Sequence, residues 1–238
     1  MKSSAIYRNT LIVIPAFNEM DSIGKVVKSV RSAGFSEIVV VDDGSSDSTA
    51  AIAEAEGAIV IPLLERIGAW GATQTGFRFA LRKGYKWVVT LDADEQHRAS
   101  DIEPVLNTMI RRHHNVLVAA DISRGSGARH LAWKLVRVIS GLKLRDITSG
   151  FRAYDRLAVR CMASWRATLL SYQDVGVLML LTKYGLKVSE KSVSMSPRVN
   201  GKSRIFSSWG AVLFYMLHTC MLSASKRPII SRAPSRGK

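Results

Sequence analysis

Two carboxylates that follow an apolar run, Asp92 and Asp94, are the side chains of this sequence best placed to do chemistry. They stand at i and i+2, directly after residues 87–91, which read WVVTL. Alternate side chains of an extended backbone share a face, so both carboxylates are expected to converge on one ion at the end of a buried strand. Hard cations such as Mg²⁺ or Mn²⁺ bind through one or two carboxylates plus substrate phosphates. The pair therefore predicts a metal site for a phosphate-bearing ligand.

The elements that must position this pair alternate between strand and helix. Apolar runs predict strands at residues 11–15, 38–41, 59–63, 87–91 and 116–120. Helical periodicity and terminal glycines predict helices at residues 21–33, 48–56, 68–82 and 102–112. This alternation is typical of an α/β domain with a Rossmann-like, mostly parallel sheet and helices on both faces. The N-terminal residues up to Glu19 are interpreted as a strand and not as a signal peptide, because Pro15, Asn18 and Glu19 interrupt their apolar run.

Polar clusters follow three of the predicted strands. Asn18 and Glu19 follow the first strand, the sequence DDGS at residues 42–45 follows the second, and the acidic pair follows the fourth. In parallel sheets, ligands gather beyond the carboxyl ends of the strands, so these clusters are expected to share one crevice. No glycine-rich phosphate loop is present, which disfavours dinucleotide and P-loop sites. The pattern predicts a nucleotide site in which Asp42 or Asp43 accepts hydrogen bonds from the base or ribose.

The charge of the chain is unevenly distributed. Its 238 residues carry a net charge of +15, but residues 1–122 hold 13 Lys/Arg against 15 Asp/Glu, whereas residues 123–238 hold 21 against 4. Such a basic half predicts a polyanionic partner: nucleic acid, an anionic membrane surface or a phosphorylated acceptor. No nucleic-acid partner is expected, because no recognised module and no basic run interleaved with aromatics is present. The two cysteines, Cys161 and Cys220, lack metal-ligand spacing and favour a reduced intracellular protein.

The C-terminal part contains an apolar segment followed by basic residues. The segment at residues 209–222 is shorter than the roughly 18 to 20 apolar residues that a membrane span requires. Two interpretations stay open for residues 206–225: a helix lying in the membrane interface, or a core helix. Residues 226–238 form a basic tail that is expected to be flexible. The charge map favours a cytoplasmic protein that associates peripherally with the cytoplasmic face of a membrane.

Five short motifs resemble a known family. The sequences IPAFNE at residues 14–19, VDDGSSD at 41–47 and DADEQH at 92–97 are similar to motifs of family 2 glycosyltransferases. The sequences DITSGFR at residues 146–152 and RVNGKSR at 198–204 resemble the dolichol-phosphate mannose synthase branch. The resemblance implies a GT-A fold that transfers a sugar, with inversion, from a nucleotide diphosphate to a polyprenyl phosphate at the membrane. It implies a catalytic domain at residues 1–205, with a nucleotide half to about 122 and an acceptor half from about 123.

The same resemblance implies roles for individual residues. Those expected to hold the nucleoside are Pro15, Asn18, Glu19, Asp42 or Asp43, and Gly44. Those expected to bind Mg²⁺ or Mn²⁺ are Asp92, Asp94 and Gln96. Those expected near the acceptor phosphate are Ser149 and Arg152, with Asp174 as an acceptor-side carboxylate. Arg198 and Lys202 belong to a segment that is expected to close over the diphosphate.

Three classes of function follow from these observations. A polyprenyl phosphate is largely ionised at neutral pH and needs little help from a general base, because the second pKa of a phosphate monoester lies near 6. A glycan hydroxyl as acceptor would instead require a base such as Asp174. The third class is a non-catalytic nucleotide-sugar-binding subunit, suggested by Trp70 where the family has a small residue. The sequence leaves the sugar, the choice of GDP or UDP, and a possible membrane-protein partner open.

Overall fold

Apolar runs of the chain form the buried strands of one seven-stranded sheet. The computed structural model describes residues 2–121, 144–146, 149–168 and 175–196. The strands in these residues are β1 (Thr10–Ala16), β2 (Ile38–Asp42), β3 (Ile59–Pro62), β4 (Trp87–Thr90), β5 (Val116–Ala120), β6 (Arg152–Asp155) and β7 (Val188–Ser192). Their order across the sheet is β3-β2-β1-β4-β6-β5-β7. All five strands predicted from the apolar runs are present.

Helices connect most of these strands. In the described ranges they are α1 (Lys2–Arg8), α2 (Ile23–Ser32), α3 (Thr49–Ala55), α4 (Gly68–Lys83), α5 (Ile102–Arg111), α6 (Arg156–Met162), α7 (Trp165–Thr168) and α8 (Val175–Lys183). The four predicted helices match α2 to α5, with ends that differ by at most two residues. The interpretation of the N-terminus as strand alone was wrong, because α1 precedes β1. Tyr7 of α1 packs against Phe35, with ring centroids 4.8 Å apart.

Helices cover both faces of the sheet, as predicted. On one face α2 buries Ile23, Val26, Val27 and Val30, whose spacing of three and four residues forms a single apolar stripe. Helix α5 belongs to the same layer, whereas α4, α6 and α8 contribute to the core on the opposite face. There α4 approaches β1 closely at Gly76, where a Cβ atom would lie 2.3 Å from Val13 Cγ1.

Strand β6 breaks the parallel pattern of the sheet. It runs antiparallel to both of its neighbours, β4 and β5, whereas the remaining pairs are parallel. The last residue of β4, Thr90, therefore pairs with the first residue of β6, Arg152. As a result, the chain that enters β6 lies at the same sheet edge as the chain that leaves β1, β2 and β4.

Several predicted features lie outside the described residues. These are Asp174, Arg198, Lys202, the apolar segment 206–225 and the basic tail 226–238. In the ranges that the structure does describe, no helix combines the length and apolar character needed to cross a bilayer.

Candidate active site

The loops after β1 and β2 interlock through side-chain hydrogen bonds. Asn18 adopts a positive φ of 51°, its N–H donates to Ser45 Oγ at 2.9 Å, and its Oδ1 accepts from the N–H of Ser46 at 2.9 Å. The N–H of Glu19 donates to Thr49 Oγ1 at 2.8 Å. Two of the predicted nucleoside-binding residues, Asn18 and Glu19, are thereby fixed against the loop that carries the others.

A second set of contacts tightens the loop after β2. Asp47 accepts hydrogen bonds from the N–H of Thr49 at 2.9 Å and from the N–H of Met20 at 3.3 Å. Burial alone would raise the pKa of Asp47, but hydrogen bonds from the hydroxyl and the N–H of Thr49 and from the N–H of Met20 outweigh it and lower that pKa. The ionised carboxylate thereby ties the loop after β2 to the loop after β1.

The two adjacent aspartates of this loop have different partners. Asp43 accepts from the N–H of Ile67 at 2.8 Å with one oxygen and from the N–H of Gly68 at 2.9 Å with the other. Asp42 accepts from the backbone N–H of Ser45 at 3.2 Å and from its hydroxyl through the same oxygen, Oδ1. Both carboxylates are buried. Asp43 thus holds the start of α4, and Asp42 is the better candidate for contact with a nucleoside.

The loop before α4 closes one side of this region. The guanidinium carbon of Arg66 lies 3.9 Å from the ring centroid of Phe17, which is a cation–π contact. The positive φ of Gly44, 72°, lets the chain turn beneath the same loop, where a Cβ atom would lie 3.4 Å from Arg66 N. Pro15, also predicted to face the nucleoside, pairs with Val41 in the sheet just before these loops.

Asp92 lies just after β4, and its carboxylate contacts a histidine of the same loop. His97 Nε2 lies 3.0 Å from Asp92 Oδ2. The His97 side chain is 4% exposed and packs edge-to-face on Phe151, with ring centroids 5.4 Å apart. The Asp92 side chain is 42% exposed, so its carboxylate is oriented by the buried His97 on one side and is open to solvent on the other.

A glycine just before β6, Gly150, lies close to the same carboxylate. A Cβ atom on Gly150 would lie 2.2 Å from Asp92 Oδ1 and 2.5 Å from its Oδ2, so any larger residue there would displace the carboxylate or the backbone. Thr90 holds this approach in place, because its hydroxyl donates to the Gly150 carbonyl oxygen at 2.6 Å. Sequence reasoning assigned no role to His97, Gly150 or Thr90; the motif letters included the first two, but neither contact follows from them.

The residues after Asp92 offer further oxygen ligands. Asp94 Oδ1 accepts from the N–H of Gln96 at 3.2 Å, which turns the loop back on itself. The Gln96 side chain is buried, and its Nε2 has no hydrogen-bond partner among the described residues. Because the oxygen and nitrogen of an amide can exchange places by a flip, this position suits an oxygen that faces a cation.

These ligands fit Mg²⁺ or Mn²⁺ bound together with a phosphate ligand. In the described ranges no group of three or more His, Cys, Asp or Glu side chains gathers to hold an ion alone. Mg²⁺ usually takes only one or two carboxylates and completes its shell with water and substrate phosphates. Asp92, Asp94 and Gln96 supply hard oxygen atoms of that kind.

The predicted acceptor-side residues are buried beside Gly150. Arg152 is 0% exposed, and its Nε donates to the carbonyl oxygen of Ser149 at 2.8 Å. Ser149 Oγ in turn accepts from the N–H of Phe151 at 3.2 Å. Through these contacts Arg152 orders the turn that places Gly150 against Asp92, and its predicted contact with an acceptor phosphate stays a prediction.

The chain that leaves β7 returns to the same edge. The N–H of Met195 donates to Asp121 Oδ2 at 3.0 Å, and the N–H of Ser196 donates to the carbonyl oxygen of Gln96 at 2.9 Å. The described chain thus reaches the loop of Asp92, Asp94 and Gln96 two residues before Arg198, which lies outside the described part.

Trp70, the residue that departs from the family pattern, is part of the core. It is 5% exposed, its Nε1–H donates to the carbonyl oxygen of Ala167 at 2.9 Å, and its ring packs edge-to-face on Phe77. Its bulk is accommodated in the layer between α4 and α7, so it gives no structural support to a non-catalytic subunit.

The part of the chain that forms most of this fold matches the model of a known family. Residues 11–164, from β1 to just beyond α6, match the family model described as Glycosyl transferase family 2. The chain belongs to glycosyltransferase family 2. The predicted family and the predicted enzyme class, a glycosyltransferase, are thereby confirmed.

Relatives of this glycosyltransferase carry names that indicate lipid-phosphate acceptors. It is 28% identical over 220 residues to a polyprenol monophosphomannose synthase of Mycolicibacterium smegmatis, with 79% of this chain and 82% of the relative covered. It is also 28% identical over 211 residues to an undecaprenyl-phosphate mannosyltransferase of Micrococcus luteus, with 82% and 86% covered. Its similarity lies within the polyprenyl-phosphate branch of the family.

A solved structure shares the fold. Glucosyl-3-phosphoglycerate synthase from Mycobacterium tuberculosis, in complex with Mn²⁺, UDP-glucose and phosphoglyceric acid, superposes with a TM-score of 0.72 at 19% identity, covering 92% of this chain and 82% of that one. At this identity the likeness concerns architecture alone. The predicted GT-A fold, with its mostly parallel sheet and helices on both faces, is confirmed.

Proposed function

We propose that this family 2 glycosyltransferase transfers a sugar, with inversion, from a GDP- or UDP-linked donor to a polyprenyl phosphate, with Mg²⁺ or Mn²⁺ as cofactor. The observation that carries the proposal is the Asp92 carboxylate. It lies between His97 and Gly150 and is exposed on its remaining side. It follows β4, which ends at the same sheet edge as β1 and β2, two strands that are also followed by polar loops. The names of the relatives support the acceptor class.

The donor would lie across the ends of β1, β2 and β4. Asn18, Glu19 and Asp42 belong to the interlocked loops and are proposed to face the nucleoside, together with Pro15 and Gly44. Asp92, Asp94 and Gln96 are proposed to hold the cation beside the diphosphate. A bound Mg²⁺ or Mn²⁺ would neutralise negative charge on the departing nucleoside diphosphate.

The acceptor would approach from the side of Ser149 and Arg152. An oxygen of the ionised phosphate would form a bond to the anomeric carbon while the bond from that carbon to the diphosphate breaks, and the nucleoside diphosphate would leave with the electron pair. The acceptor carries no proton that must be removed at neutral pH, so positioning and charge stabilisation would supply most of the rate. Arg198 and Lys202, which lie outside the described residues, are proposed from the motif resemblance alone to act on the diphosphate.

The test uses purified protein, detergent-solubilised polyprenyl phosphate, Mg²⁺ or Mn²⁺, and labelled GDP- and UDP-sugars. We expect label to enter a lipid that is extractable into organic solvent and labile to mild acid. Asp92→Ala should abolish the transfer, whereas Glu54→Ala, which removes an exposed carboxylate within α3, should not. Absence of lipid label from the unmodified protein, with donor binding intact, would refute the acceptor class.

A further variant separates the two acceptor chemistries. Asp174→Asn removes the carboxylate that a hydroxyl acceptor would need as a general base, but it should leave transfer to an ionised phosphate largely unchanged. If the unmodified protein labels a glycan and the Asp174→Asn variant does not, the glycan-acceptor class is favoured.

A further inference from the structure

A groove separate from the candidate active site runs between α5 and β7. One cavity of about 650 Å³ is lined by Thr108, Arg111, Arg112, Glu190, Lys191 and Ser192. A second cavity, of about 310 Å³, shares Arg111 and Lys191 with the first and extends along α5 to Glu103, Pro104 and Asn107. We call the two together the α5–β7 groove. Helix α5 has ten residues, so the groove extends over about 15 Å.

The α5–β7 groove is positively charged. Arg111 and Arg112 are exposed and Lys191 is half-buried, and none of the three makes an ion pair within the described residues. Glu190 is paired with Arg145, whose backbone N–H donates to it at 2.5 Å and whose Nε lies 3.8 Å from its Oε1. The lining therefore carries three cations, Arg111, Arg112 and Lys191, against one carboxylate outside any ion pair of the described residues, Glu103, which accepts a hydrogen bond from Asn107.

The histidine that follows α5, His114, is affected by the positive charge of this region. His114 lies close to the groove, and its Nδ1 is 2.5 Å from Ser189 Oγ of β7. Burial lowers the pKa of His114, and the charges of Arg112 and Lys187 lower it further. A cation next to α5, Arg112, and a cation next to β7, Lys187, thus both raise the electrostatic potential at His114.

The shape and lining of the groove indicate what kind of anion it suits. It is long and open, so it can face several phosphates side by side but cannot enclose one small anion. No aromatic side chain lines either cavity, so the stacking platform typical of single-stranded nucleic-acid sites is missing from the described lining. A surface with repeated anionic headgroups fits both features.

The α5–β7 groove is linked to the candidate active site through the chain that leaves β7. Ser192 lines one cavity, and Ser196, four positions later, donates its N–H to the Gln96 carbonyl oxygen. A surface seated on the groove would therefore contact the strand whose continuation reaches the loop of Asp92, Asp94 and Gln96.

We propose that the α5–β7 groove is a docking surface for an anionic phospholipid bilayer, through Arg111, Arg112 and Lys191. The inference rests on the proposed function, since that function places the acceptor in a bilayer. Each basic residue near an anionic surface strengthens binding roughly fivefold, so loss of all three should weaken it by roughly a hundredfold at low salt. Rising salt should reduce this difference.

The test compares two triple variants with equal charge change. One is Arg111→Gln/Arg112→Gln/Lys191→Gln in the groove. The control is Arg82→Gln/Lys83→Gln/Lys86→Gln, which removes three exposed cations at and after the end of α4, the helix on the opposite face of the sheet. Sedimentation with vesicles of phosphatidylglycerol in phosphatidylcholine measures the apparent Kd. We expect a large loss for the groove variant and a small one for the control.

Several outcomes would overturn the proposal. Equal losses in both variants would mean that only net charge matters, and no loss in the groove variant would place the contact elsewhere. If the groove variant loses affinity for inorganic phosphate or for single-stranded RNA but keeps vesicle binding, the groove serves a soluble anion or a nucleic acid instead.

A transfer assay separates this proposal from the proposed function. The groove variant should match the unmodified protein with acceptor in detergent but be slower with acceptor embedded in anionic vesicles. Equal slowing in both assays would overturn the docking role. If the unmodified protein transfers no sugar but shows the expected vesicle binding, the proposed function fails while the bilayer contact stands.

Discussion

Replacing Gly150 with alanine should disable the site without unfolding the protein. The φ of Gly150 lies outside the left-handed region, so alanine fits the backbone there. Its Cβ atom, however, would lie 2.2 Å, 2.5 Å and 2.6 Å from Oδ1, Oδ2 and Cγ of Asp92, so rotation of the carboxylate about its own bond gives no relief. Either Asp92 must leave its 3.0 Å contact with His97, or the chain at Gly150 must move by about 1 Å.

The size of the effect follows from that displacement. A misplacement of about 1 Å in a group that positions reactants costs roughly a hundredfold in rate, or about 2.7 kcal/mol of transition-state stabilisation. Overpacking of this kind also destabilises a fold by about 1 to 3 kcal/mol. We therefore expect kcat/KM for sugar transfer to fall roughly a hundredfold, with a moderate decrease in the denaturant midpoint.

Two comparisons make the prediction specific. Gly84→Ala strains a residue at φ 84° that has open space around it, so it should cost about 1 kcal/mol of stability and leave kcat/KM unchanged. In Asp92→Ala the colliding oxygens are absent, so adding Gly150→Ala should cost little further stability, which a double-mutant cycle measures. Near-normal transfer by Gly150→Ala, or additive stability losses in the double variant, would refute the steric reasoning.

Three further predictions concern the scaffold. In Asp43→Asn, one of the two N–H groups at the start of α4 would face an NH₂ group and lose its acceptor, so the free energy of unfolding should fall by about 1 to 3 kcal/mol. An unchanged midpoint of chemical denaturation would contradict this. Gly76→Ala should destabilise by a similar amount, and Val13→Ala in the same chain should recover part of the loss, as chemical denaturation can show. Cys161 should resist iodoacetamide at pH 8 in the folded protein, because burial and the charge of Asp155 raise its pKa to about 11. Rapid alkylation of the peptide that contains Cys161, detected by mass spectrometry, would contradict this prediction.

The first half of the fold was predictable because its elements repeat a simple pattern. Apolar runs of four or five residues alternate with helical stripes, and β5 matches its predicted range of 116–120 in full. The loops that follow β1, β2 and β4 were expected to meet, and the hydrogen bonds of Asn18 and Glu19 show that the first two do so. These contacts follow from the common direction of neighbouring parallel strands.

The rest of the site could not be read from local pattern. Strand β6 has only four residues, RAYD, and its antiparallel insertion beside β4 depends on pairing across the chain. The hydrogen bond from Thr90 to Gly150 spans 60 residues, and the closeness of Gly150 to Asp92 appears only once that pairing exists. A glycine in a motif signals close approach or an unusual φ, but not which side chain it approaches.

The position of β6 also has a consequence for the growing chain on the ribosome. Strands β1 to β4 can pair as soon as they are made, but β4 keeps one bare edge until β6 arrives, and β5 pairs only with strands synthesised after it within the described sheet. Unpaired strand edges invite association with other chains. The nascent protein is therefore most exposed to aggregation between synthesis of β5 and synthesis of β6, the same interval that ends when Gly150 is placed beside Asp92.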